Sequence, residues 1–147
     1  VKPLVIGQAP SSTSDPAWPL SGRSGRRLAA LCGVDHGVFL DAFDRVNLIP
    51  VFPGKAGKGD AFPIEEARRS AAIVKAMSPR TVIILGDNVR RAFDVLDDAP
   101  MFRWFRLGPH CAAVAPHPSG VSRWWNDPMN AERARLFWRG LAAGSRP

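Results

Sequence analysis

The sequence predicts an α/β fold: a three-layer α/β/α sandwich with helices on both faces of a four-stranded, mainly parallel sheet. Three observations carry this. Four short apolar runs, residues 4–6, 46–49, 81–85 and 112–115, consist of β-branched, leucine or small side chains, and each is followed at once by Gly or Pro, as strands buried on both faces should be. Helical patterns lie between them, and strands that alternate with helices build parallel sheets covered on both sides. The 147 residues are 46% hydrophobic and 22% charged, which suits a single globular domain over 1–147 without repeats, linkers or low-complexity segments.

The first strand, residues 4–6, runs into Gly7-Gln8-Ala9-Pro10-Ser11. Residues 11–19, rich in Ser, Pro and Asp, form a loop long enough to serve a site. A helix is expected over 26–31. The second strand contains Asn47 and stops at Pro50, and a second long loop covers 53–63. Pro63 then marks the start of a helix over 65–77, whose apolar residues recur at three- and four-residue spacing. The third strand, 81–85, ends at Gly86-Asp87-Asn88 and leads directly into a helix over 89–96, which Asp87 and Asn88 are suited to cap. The fourth strand ends at Pro116-His117-Pro118-Ser119-Gly120. A last helix, 130–141, places Ala134, Trp138 and Leu141 on one face and Glu132, Arg133 and Arg135 largely off it. Open parallel sheets bind ligands beyond the carboxyl ends of their strands. Gln8, Asn47, Asp87 and His117 stand at those ends.

Composition narrows the function classes. The formal net charge is +7, and 16 of the 20 cations are arginine, a residue suited to bidentate contacts with phosphates and base edges. A nucleic-acid partner accounts for this, and a GC-rich coding sequence is the alternative source. No apolar run approaches the roughly 18 residues that cross a bilayer, and the first residues lack the order of a secretory signal. A cytoplasmic monomer without membrane contact is therefore expected. Two cysteines, Cys32 and Cys111, exclude a disulfide scaffold and a four-thiolate metal site. His110 adds only one ligand beside Cys111, so neither a metal nor a cofactor is expected. His36, next to Asp35 at a Gly-containing turn, reads as an exposed residue without a role.

The strand-end residues also carry a resemblance. Val5-Ile6-Gly7-Gln8-Ala9-Pro10-Ser11 resembles the first motif of the uracil-DNA glycosylase superfamily, which reads GQDPY in its best-known branch and GEAPG in its iron–sulfur branch. Pro19-Leu20-Ser21-Gly22-Arg23-Ser24-Gly25-Arg26-Arg27-Leu28 is similar to the PFVGRAGxLL segment of the latter, and Asn47-Leu48-Ile49 falls at its NVV. Thr81-Val82-Ile83-Ile84-Leu85-Gly86 resembles its VIVxLG strand. His117-Pro118-Ser119-Gly120 combines the HPS of most branches with the PSG of the mismatch-specific branch.

This resemblance implies an N-glycosidic hydrolase that removes uracil or a related damaged base during DNA repair. Such an enzyme flips the base out of the stack, reads its edge and stabilises a departing base anion. Asn47, with an amide donor and acceptor, is implied to read the base, and a neutral His117 to donate to the developing oxyanion. His117, Gln8 and Asp15 are the catalytic candidates. Gly7, Ala9, Ser11, Leu20 and Asn47 are the base-pocket candidates. Arg23, Ser119, Gly120, Val121 and Arg123 are the DNA-binding candidates, with Val121 at the wedge that fills the gap left by the flipped base. A valine is shorter than the usual leucine, which implies a preference for single-stranded or mispaired DNA. Trp124 and Trp125 either stack on bases or anchor this loop on the core.

The departures are specific. Ala9 stands where GQDPY has its water-activating aspartate, and Gln8 where GEAPG has glutamate. Asp15 either orients water in their place or caps a turn. Leu20 replaces the aromatic that stacks on uracil, with Trp18 two residues away as a substitute. Ser11 replaces the tyrosine that excludes a thymine methyl, so a bulkier base is admitted. Val51 falls at an iron–sulfur ligand, so no cluster is expected. The alternative function is a base-binding nucleic-acid protein of the same fold that hydrolyses nothing.

Overall fold

The structure is a computed structural model, and it describes residues 1–119 and 123–147. In chain order the first elements are β1 (Leu4–Gly7), α1 (Arg23–Cys32), α2 (His36–Ala42) and β2 (Asp44–Asn47). Two short strands, β3 (Lys55–Ala56) and β4 (Gly59–Asp60), precede α3 (Ile64–Lys75). Then come β5 (Thr81–Leu85), α4 (Gly86–Ala92), β6 (Phe105–Leu107), β7 (His110–Ala115), a 3₁₀ turn at Arg123–Asn126 and α5 (Pro128–Ala142).

The central sheet has five strands in the order β2-β1-β5-β7-β6. The first four are parallel, and β6 pairs antiparallel with β7 at the far edge. The expected count of four therefore falls one short. Phe105-Arg106-Leu107 is too brief to show an alternating pattern in sequence, and it becomes a strand because a tight turn folds it back on β7. The second strand is also displaced. It starts at Asp44 and ends at Asn47; Leu48 and Ile49 follow it, their N–H groups donating to the Gly7 and Gln8 carbonyls and their side chains filling the core, both 1% exposed.

Successive side chains of a strand point to opposite faces. Leu4 and Ile6, Val82 and Ile84, and Ala112 and Val114 share one apolar cluster with Ala67, Ala71 and Val74 of α3 and with Val89 of α4. Val5, Ile83, Leu85, Ala113 and Ala115 share the other with Leu28 of α1, Phe39 of α2 and Trp138 of α5. The molecule is thus mixed α/β, with five α-helices among the described residues.

Helix α2 lies in a stretch with no helical expectation. Its seven residues include Gly37, and Asp35 at its N-cap makes no side-chain cap bond, so Phe39, wholly buried, is what holds it in place. By contrast α5 has a full start: the Asp127 carboxylate accepts from Met129 N–H at 2.9 Å, and Pro128 follows the cap. The capping expected of Asp87 and Asn88 does not occur. No side chain caps α4; Asp87 instead pairs with Arg90 at 3.3 Å. None of the helices among the described residues is long and apolar enough to cross a membrane.

Candidate functional site

Because β1, β2, β5 and β7 are parallel, their carboxyl ends lie on one edge of the sheet. A cavity of about 590 Å³ opens there, and it takes Gln8, Asn47, Asn88 and His117 from four different elements or strand ends. A second cavity of about 630 Å³ runs along the open edge of β2, between aliphatic side chains and the Asp44–Arg80 ion pair. It shares only Asn47 with the first, so the converging polar groups belong to the strand-end cavity.

The parallel register sets Asn47 beside Gly7. A Cβ on Gly7 would lie 2.5 Å from Asn47 Oδ1, so only glycine lets the amide lie across the end of β1. Leu20 packs at the same point, its Cδ2 3.6 Å from that position. Its φ of +59° is costly for a branched side chain, and residues held so cluster at functional sites. Two contacts impose it. His36 Nε2–H donates to the Leu20 carbonyl at 3.2 Å, and Gly25 of α1 leaves space where a Cβ would come within 1.6 Å of that oxygen. His36 is half-buried and fixes the pocket wall, which corrects its reading as an idle surface residue.

His117 is held on several sides. Its Nδ1 accepts from Ser119 N–H at 3.1 Å, so in the neutral ring the proton sits on Nε2. Burial, aided by the nearby Arg27 charge, pushes its pKa below the usual 6.5, which keeps the ring neutral at pH 7. Trp125 Nε1–H donates to the His117 carbonyl at 3.0 Å, and Arg27 donates to the Pro118 carbonyl at 2.9 Å. Trp124 and Trp125 meet edge to face at 4.8 Å, and Trp124 also meets Phe102 at 5.6 Å. The tryptophan pair therefore anchors this segment on the core.

Gln8 is oriented by a relay that sequence reading missed. Arg91 donates to Asn88 Oδ1, and a guanidinium can only donate. Asn88 must then turn its NH₂ away from Arg91, and it donates to Gln8 Oε1 at 3.1 Å. Gln8 is left with its own NH₂ for the cavity. The amide at this position is thus a donor, not an acceptor.

The remaining candidates separate. Ala9, Ser11 and Ser119 line the cavity, as does Arg23 at the first residue of α1. Ser11 Oγ lies 2.6 Å from Ser14 Oγ at the rim. Trp18, 59% exposed, also lines it, which leaves an indole face available where Leu20 offers none. Asp15 lies outside the lining; its carboxylate accepts from Ala17 N–H at 2.9 Å and closes a turn. Arg123 is exposed in the 3₁₀ turn and is not among the described lining residues. Gly120 and Val121 fall outside the described residues. One contribution had no motif to announce it: Gly59 and Asp60 of the β3–β4 hairpin reach the cavity from a stretch read as loop.

No protein-family model matches the chain, and no curated protein matches it.

Proposed function

We propose that the protein is a DNA glycosylase-like hydrolase that flips uracil, or a related damaged or modified base, into the strand-end cavity and cleaves its N-glycosidic bond. The observation that carries this reading is His117, fixed as a neutral Nε2–H donor in the same cavity as the Asn47 amide. Cleavage leaves negative charge on the base, and a preorganised neutral donor stabilises that charge without giving up its proton. Asn47 can donate to a uracil carbonyl and accept from its imide, a combination that cytosine does not match. Gln8, turned by Asn88, adds a second side-chain donor. Trp18 supplies the stacking surface, and Ser11 leaves room for a base larger than uracil.

Helices on the two faces of the sheet support the three-layer sandwich that the glycosylase resemblance implies. Arg23 at the cavity rim and the net charge of +7 support a DNA partner. The two free cysteines fit the reducing cytoplasm, where the protein acts as a monomer in base-excision repair on single-stranded or mispaired sites. The second reading, base binding without hydrolysis, draws on Ala9, which lines the cavity and offers no carboxylate to activate water.

The two are separated with end-labelled oligonucleotides that carry one uracil, hypoxanthine, xanthine or mismatched thymine, incubated with the protein and cleaved with alkali. Strand scission at one of these bases is expected. Retention of the oligonucleotide in a gel shift, with no scission at any base, would overturn the hydrolase and establish the binding protein.

A further inference from the structure

Hydrolysis of an N-glycosidic bond passes through a sugar with oxocarbenium character, and a carboxylate beside it both stabilises that charge and takes a proton from the attacking water. The turn after β1 offers none, since it carries Gln8 and Ala9. Among the described residues, only one acidic residue lines the strand-end cavity, Asp60. Asp15 closes its own turn, and Asp87 is 78% exposed in its pair with Arg90.

Asp60 ends the β3–β4 hairpin, whose register sets it opposite Lys55. Lys55 Nζ donates to Asp60 Oδ1 at 2.6 Å. This contact fixes one oxygen, leaving Oδ2 for water. Ala61 N–H donates to the Gly54 carbonyl at 2.8 Å and closes the base of the hairpin. Asp60 is therefore held at the cavity by a folded element.

We propose that Asp60 is the carboxylate of the hydrolytic step, an inference that rests on the glycosylase reading of the cavity. The bond from the sugar C1′ to the base nitrogen breaks, and its electron pair leaves with the base, whose oxyanion accepts from His117 Nε2–H. The water oxygen bonds to C1′ while one of its protons passes to Asp60 Oδ2 and on to solvent. The released base is then protonated from solvent. The hairpin thus supplies what the strand-end turn lacks.

The test is single-turnover excision of uracil from a labelled single-stranded oligonucleotide by the wild-type protein, Asp60→Asn and Asp60→Glu, with thermal midpoints confirming the fold. Asp60→Asn should be slower by about 100-fold or more. Glutamate should restore much of that rate, and added formate should restore part of it in the asparagine variant. Asp60→Asn within about twofold of wild type would overturn the inference while leaving the glycosylase reading intact. A loss relieved by neither glutamate nor formate would overturn it as well, since it would make the role of Asp60 structural. Failure of the wild-type protein to excise any base would remove both.

Discussion

At His117 burial and the Arg27 charge act in the same direction, both against the imidazolium. The consequence for stability has a definite sign. With a folded pKa below the unfolded 6.5, the unfolded chain binds the proton more readily, so stability falls as the pH drops from 6.5 through the folded value and is unaffected above 6.5. Replacing His117 by glutamine should flatten this limb. Between pH 7.5 and 5 the thermal midpoint of wild type should fall relative to that of His117→Gln, and a constant gap would show that His117 does not titrate differently on folding. The Gln8 relay makes a second residue-scale prediction. In Asn88→Asp the new carboxylate can only accept, so Gln8 must turn its NH₂ toward it and its own oxygen to the cavity. Uracil excision should fall about tenfold, the effect of exchanging one hydrogen-bonded partner for a mispaired one. A Gln8→Ala background should remove most of that difference, and an equal loss there would break the proposed coupling.

Among the elements, α1 is constrained by what its first turn touches. Ala is usually better than Gly inside a helix by roughly 0.5–1 kcal/mol. At Gly25 the sign should reverse, because a Cβ would meet the Leu20 carbonyl at 1.6 Å. Gly25→Ala should destabilise by about 1–3 kcal/mol in denaturant unfolding, as overpacking does. A neutral or stabilising result would show that Leu20 does not hold its left-handed backbone against α1. The same elements show where sequence reasoning works. Strands β1, β5 and β7 are buried on both faces, so their apolar runs are uninterrupted and easily recognised. Strand β2 lies at an edge, and its Asp44-Arg45 start breaks the apolar pattern, which shifted the expected span toward Leu48 and Ile49. Helix α2 was hidden by its length and by Gly37, and β6 by having only three residues. In the site, Gln8, Asn47 and His117 were readable because strand ends in a parallel sheet must converge. Asn88, His36 and Asp60 were not, since each acts through a partner distant in sequence: Gln8, Leu20 and the cavity itself.

For the whole molecule, the sheet order gathers four parallel strand ends at one edge, and α1 begins at the same edge. The first turns of α1 carry Arg23, Arg26 and Arg27 and no acidic residue in the first turn, so the cavity opens beside positive charge. If Arg23 holds a backbone phosphate, binding to uracil-free DNA should weaken similarly for all sequences in Arg23→Ala, and the salt slope of the affinity should fall by about 1. An unchanged slope would place the DNA path elsewhere. The central claim is that His117 stabilises a departing base anion in this cavity. It is tested most directly by the single-turnover rate of uracil release from a single-stranded oligonucleotide, measured for the wild-type protein and for His117→Ala. Wild type should release uracil, and the alanine variant should be about 100–1000-fold slower, or roughly 2.7–4 kcal/mol, the effect of deleting one preorganised oxyanion donor. Equal rates in the two proteins would contradict the account.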